Sequence, residues 1–158
     1  QARTVLSWLR DLSAQVRMID PNHLITAGWN EGPYLTDSAV DFLSFHHWRS
    51  AENLAGRLAD YRARSDKPML LEEVGYATPA NTVERQVSQL QAALSLAEAE
   101  GLLGWLVWTA FDFPTDVTCI PPACPSQDNA EHHFGLWRTD YTPKPAVAMI
   151  VAQFTGKR

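Results

Sequence analysis

The stretch KPMLLEEVG, Lys67 to Gly75, sets two adjacent carboxylates and a glycine at the end of a short apolar run. Met69, Leu70 and Leu71 predict a strand buried on both faces, as in a parallel sheet, with Glu72 and Glu73 where it surfaces. A carboxylate there is costly to desolvate. It calls for hydrogen bonds, a charge partner or a catalytic purpose. Three further apolar runs end in reactive or stacking groups: Leu24 to Ala27 leads to Trp29, Asn30 and Glu31, and Val40 to Phe45 leads to His46, His47 and Trp48. The last, Gly104 to Thr109, carries Trp108 and leads to Phe111 and Asp112. Carboxylate, imidazole and indole groups on one rim suit a carbohydrate site, where aromatic faces stack on sugar C–H surfaces and carboxylates serve hydrolysis.

The elements that must position this rim alternate. Val5, Leu9, Leu12, Val16 and Ile19 repeat at steps of four and three, an amphipathic helix that stops before Asp20-Pro21-Asn22. Leu54, Leu58 and Tyr61 mark a second helix, halted near Ser65-Asp66-Lys67-Pro68. A third carries Val83, Val87, Leu90, Leu94 and Ala97, opened by a capping-box-like Asn81 and Glu84 and closed by Gly101. A long loop runs from Pro114 to about Trp137, and Pro145 to Gln153 read as a final helix. The order helix, strand, strand, helix, strand, helix, strand, helix predicts an α/β fold with parallel strands joined by right-handed crossovers. Four strands do not close a barrel, so the choice lies between an open, helix-flanked sheet and half of a (β/α)8 barrel. Chemistry sits at the C-terminal strand ends in both.

Composition narrows the function. The chain has 158 residues, 46% of them apolar, enough for one domain with a substantial core. A net charge of −5 without a basic stripe argues against nucleic acid or an anionic membrane as partner. No apolar run approaches the roughly 20 residues needed to cross a bilayer, and a soluble protein is expected. The chain opens on Gln1 and its first methionine is Met18, which reads as a piece of something longer. Cys119 and Cys124 in CIPPAC would close a small disulfide loop in an oxidising compartment or remain two free thiols. No second Cys/His pair completes a metal site with them. There is no Gly-x-Ser-x-Gly elbow, phosphate-binding glycine loop or dinucleotide fingerprint.

Taken together, these segments resemble the C-terminal half of a clan A glycoside hydrolase, most like the family 5 cellulases and mannanases. The resemblance runs over nearly the whole chain, so residues 1–158 are expected to form strands five to eight of a (β/α)8 barrel with their helices. KPMLLEEVG is similar to the family's seventh strand, which implies that Glu73 is the nucleophile of a retaining β-glycanase. VDFLSFHHW resembles the sixth strand, with an active-site histidine followed two residues later by a tyrosine. These positions hold His46 and Trp48, and the indole departs from the family because it donates only through N–H. GLLGWLVWTAFDFP resembles the eighth, which implies that Trp108 forms the floor under the sugar. FGLWRTDYTPKPAVAMI matches the closing stretch before the last helix. The family's acid/base glutamate belongs to a fourth strand that this chain does not contain. The resemblance implies no cofactor, a β-linked oligo- or polysaccharide as ligand, secretion, and as partner either an N-terminal half-barrel or a second copy of the chain. The rival reading is a non-catalytic half-barrel that self-associates or binds carbohydrate.

For individual residues the expectations are these. Glu72, next to Glu73 on a strand, should face the other side and make a structural salt bridge. His46 and His47 should also face opposite ways, which argues against a shared metal. Trp29 joins His46, Trp48 and Trp108 as a sugar-binding candidate, while Trp105 belongs to the core. Asp112 and Asp116 either border the site or cap turns. Glu31 is a poor stand-in for the absent acid. His132 and His133 are expected at the surface.

Overall fold

Four strands, β1 (Gly28–Trp29), β2 (Leu43–His47), β3 (Met69–Val74) and β4 (Trp105–Val107), pair in sequential order in one sheet. All three pairings are parallel, as the alternation of elements requires. Helices α1 (Ala2–Ile19), α2 (Leu54–Arg62), α3 (Val83–Ala99) and α4 (Pro145–Thr155) precede, connect and follow them. The computed structural model describes residues 2–79, 81–117 and 127–155. Cys119 and Cys124, and with them the expected disulfide, lie outside the described residues.

Period-two alternation assigns the faces of the sheet. Leu43, Phe45 and His47 of β2 and Met69, Leu71 and Val74 of β3 are all buried. The apolar ones form one core with Leu54, Leu58 and Tyr61 of α2 and Leu90, Ala93, Leu94 and Ala97 of α3. Each fully buried Leu or Phe there contributes about 1.5–3 kcal/mol, and this layer holds the strands in place. Phe45 and Tyr61 meet edge to face with ring centroids 5.3 Å apart. The other face carries Ser44, His46 and Leu106, and Leu106 is 56% exposed. Much of the apolar stripe of α1 is uncovered as well: Trp8, Leu12 and Val16 are exposed, while Leu9 packs into the core.

Several boundaries differ from expectation. β1 pairs at Gly28–Trp29 and not over Leu24 to Ala27, and β2 begins at Leu43 and not at Val40. Before these strands align, Asp41 ties them together: its N–H donates to Ile25 O at 2.7 Å, and its carboxylate accepts the Ile25 N–H at 2.7 Å. Arg17 donates to the same carboxylate at 2.8 Å, and that bond, then the Ile25 N–H, holds Asp41 below the ordinary aspartate range. Pro33–Ala39, between β1 and β2, form a 3-10 helix. α3 starts one residue later than the Asn81 signal, because Thr82 caps it by accepting the Arg85 N–H at 3.2 Å. The Asn81 amide instead donates to Ala77 O at 3.0 Å.

Candidate active site

The end of β3 contains one residue more than its neighbours. Phe45 pairs with Leu71, yet the next residue of β2, His46, pairs with Glu73, which leaves Glu72 without an opposite number. The β4 side shows the same irregularity between Leu71 and Val74. Such a bulge interrupts strict alternation and re-aims side chains. Glu72 and Glu73 therefore both reach His46: Glu73 Oε2 is 3.1 Å from its Nδ1 and Glu72 Oε2 is 3.5 Å from its Nε2. The expectation that these carboxylates face opposite sides fails for this reason. Gly28 makes the approach possible, since a Cβ there would lie 2.1 Å from Glu72 Oε2 and 2.9 Å from His46 Nε2. That Glu72 oxygen is buried and accepts no hydrogen bond among the described residues.

Alternation does hold in β2, and it separates the two histidines. His47 is buried on the helix side, where Arg57 Nη1 lies 3.1 Å from its Nδ1 and Ser50 O lies 3.0 Å from its Nε2. A guanidinium only donates, so His47 accepts at Nδ1 and carries its proton at Nε2. Burial lowers its pKa, against the Ser50 carbonyl, which raises it, and with the Arg57 charge, which lowers it further. Arg57 also donates to His46 O at 2.9 Å, to Asn30 O and to Tyr61 Oη at 2.7 Å. From α2 it thus clamps the ends of β1 and β2, the backbone that presents His46.

Trp48, Glu73, Trp108, Glu131 and Phe134 line a cavity of about 310 Å3, at the lower end of the roughly 300–1,000 Å3 typical of small-molecule sites. Its aromatic wall is a set of edge-to-face contacts. Trp48 meets Phe134 at 5.6 Å, His46 at 6.3 Å and Trp108 at 6.5 Å between ring centroids. Trp48 Nε1 donates to Asn30 Oδ1 at 3.1 Å, so its polar edge is turned toward the end of β1. The peptide bond that follows Trp108 is cis. Glu131 and Phe134 were not singled out by the sequence. They come from the long loop, Glu131 within a 3-10 helix (Ala130–His133) that has no apolar periodicity to mark it.

The other candidates fall elsewhere. Trp29 faces away from His46 and lines a separate hollow with Val5 and Leu35, its Nε1 buried without a hydrogen-bond partner among the described residues. Glu31 pairs with Arg49 at 3.0 Å and Arg57 at 3.4 Å. Asp112 is a structural group: it accepts from Lys144 Nζ at 2.7 Å and from the Gly135 N–H at 2.8 Å. Lys144 also donates to His133 O at 3.1 Å, so the pair anchors the segment that carries Phe134. His132 is buried and not at the surface. Its Nδ1 accepts the Asn129 N–H at 2.9 Å, closing a capping box whose other half is Asn129 accepting from Glu131 N–H. Among the described residues, no cluster of three or more His, Cys, Asp or Glu is arranged to hold a metal ion. No described helix is long and apolar enough to cross a membrane.

Three comparisons bear on this geometry. The chain matches no family model. It is 29% identical over 132 residues to mannan endo-1,4-beta-mannosidase A of Podospora anserina, a match that covers 66% of the chain and 34% of the mannosidase. A Streptomyces cattleya GH5_18 enzyme, crystallised with Manb1-4GlcNAc, superposes over 100% of the chain and 44% of its own length, with a TM-score of 0.78 at 18% identity. A Faecalibacterium prausnitzii beta-glucuronidase superposes over 99% of the chain and 29% of its own, with a TM-score of 0.79 at 16% identity. The chain thus spans about a third of the mannosidase and less than half of either enzyme of known structure. Its parallel sheet and helices resemble part of a (β/α)8 barrel. Sequence match and fold agree that this chain resembles a family 5-like glycoside hydrolase.

Proposed function

We propose that the chain is strands five to eight of a retaining β-glycoside hydrolase domain, with Glu73 as the nucleophile that attacks the anomeric carbon. The observation that carries this reading is the place of Glu73: on the sheet's C-terminal rim, in a cavity walled by Trp48, Trp108 and Phe134. Indole faces take up the C–H surface of a sugar ring while the carboxylate approaches its reactive carbon. His46, 3.1 Å from Glu73, orients that carboxylate. Trp48 and Trp108 hold the sugar, and no cofactor is required for the chemistry. Retaining hydrolysis also needs a second carboxyl group about 5–5.5 Å from the first, as acid and base. In this reading it comes from strands one to four. Without it the chain forfeits roughly 10²- to 10⁴-fold of proton-transfer catalysis. The substrate class is a β-linked glycan. A polymeric glycan is met outside the cell, where Cys119 and Cys124 would be free to pair.

The test is Glu73→Gln in the protein with both halves of the barrel present. Turnover should vanish while sugar binding stays near its original strength, and a covalent glycosyl-enzyme should form on Glu73 only in the unsubstituted protein. Undiminished turnover in Glu73→Gln would refute the assignment.

A second reading is a non-catalytic half-barrel that binds carbohydrate or pairs with another copy. The exposure of Leu106 on the sheet and of Trp8, Leu12 and Val16 on α1 favours it, since uncovered apolar faces of this kind seek a partner. Sedimentation of the chain alone separates the cases: a dimer at micromolar concentration supports self-association, and a monomer counts against it.

A further inference from the structure

The fold by itself does not choose a sugar, because the same architecture serves a beta-glucuronidase and an enzyme crystallised with Manb1-4GlcNAc. The charge of the cavity does choose. Its described lining holds two carboxylates, Glu73 and Glu131, three aromatic rings and no cation. Neighbouring basic groups are already matched: Arg49 and Arg57 pair with Glu31 at 3.0 and 3.4 Å, and His133 pairs with Asp128 at 2.7 Å. Lys144 is buried against Asp112. Glu131 itself is exposed, and among the described residues only its backbone N–H is engaged, with the Asn129 side chain at 2.9 Å. Its carboxylate makes no hydrogen bond or ion pair among the described residues, yet it borders the hollow that Glu73 enters.

Resting on the reading of this cavity as a sugar site, we infer that it admits neutral and amino sugars and rejects uronates, and that Glu131 is the specificity-determining residue. A uronate carboxylate about 4 Å from one of these groups loses roughly fivefold in affinity even in water-like surroundings, and more as the ligand displaces water. An ammonium group gains by the same factor and is further attracted by the faces of Trp48 and Trp108. Glu73, fixed against His46, supplies a constant part of this field, and Glu131 supplies the part that a sequence change can remove.

The experiment titrates the protein with both halves of the barrel present, at low salt, with three methyl β-glycosides of one hexose: the neutral sugar, its 2-amino-2-deoxy form and its uronate. Binding is read from the indole N–H resonances of Trp48 and Trp108. The expected order of affinity is amino sugar, neutral sugar, uronate. In Glu131→Gln the spread should narrow by about fivefold at each end while the neutral sugar changes less than twofold, and in Glu131→Lys the uronate should overtake the amino sugar. Glu131 is exposed on a short 3-10 turn, so both variants keep the fold. Uronate binding equal to that of the neutral sugar in the unsubstituted chain, or an order indifferent to both substitutions, would overturn the role of Glu131 and leave the sugar site standing. No saturable response to any of the three would reject the sugar site itself, and the inference with it.

Discussion

Breaking the Asp112–Lys144 pair tests whether the cavity wall is held from beneath. Both side chains are nearly inaccessible, at 9% and 2% exposed, and their charged atoms are 2.7 Å apart. Removing one partner leaves the other charged and buried, a loss of about 3–5 kcal/mol. Lys144→Met leaves Asp112 with the Gly135 N–H, whereas Asp112→Asn leaves Lys144 with neutral oxygens, those of the new amide, His133 and Thr78. Because an amide still accepts from Lys144, the asparagine variant should fall at the lower end of that range. Combining the two substitutions should cost less than their sum by at least about 1 kcal/mol, since neither buried charge is then stranded. Urea denaturation of the two single variants and the double variant measures all three. The same variants should loosen Phe134, because Lys144 bonds to the carbonyl before it and Asp112 to the N–H after it. The Trp48 and Trp108 indole resonances should then shift although neither residue touches the pair. Single-variant costs below about 1 kcal/mol, or strict additivity, would refute the reasoning.

Gly75→Ala should destabilise the chain by about 2–3 kcal/mol, because the new Cβ would stand 2.2 Å from the Trp108 carbonyl oxygen and force β3 and β4 apart; thermal unfolding reads this directly. His47 has a lowered pKa in the fold, so the native state resists its protonation. Its contribution to stability is complete above the unfolded value of about 6.5 and is lost as pH falls below it. The melting temperature should drop between pH 7 and 5, and His47→Asn should flatten that slope. Tyr76, whose hydroxyl donates to Arg49 O at 3.2 Å, is pushed up to about 12 by burial. It favours the fold below about pH 10, and that contribution fades as pH rises toward 12. In an ultraviolet titration it should give a late phase near pH 12, and Tyr76→Phe should remove that phase.

Local pattern carried much of the architecture. Leu54, Leu58 and Tyr61 face the core at the spacing read for α2, and the apolar run Met69 to Leu71 is a central strand of a parallel sheet. The rim was legible because residue types change abruptly at strand ends: His46 and the Glu72-Glu73 pair end the apolar runs of β2 and β3, and Trp108 directly follows β4. Boundaries were harder. Asp41 supplies a side-chain acceptor where a ladder bond was expected, and nothing in an apolar run announces that substitution.

The sequence by itself determined the order of elements, the parallel pairing that follows from it, and which side chains emerge at one end of the sheet, because periodicity and breakers act over a few residues. Tertiary structure alone decided that Glu72 turns toward His46 alongside Glu73, since a bulge is a mismatch between two strands and exists in neither one. It also decided that Glu131 and Phe134 join Trp48 across more than eighty residues of chain, that His132 is buried, and that Lys144 neutralises Asp112. Those partners are chosen by three-dimensional proximity and charge, and no spacing rule along the chain encodes them.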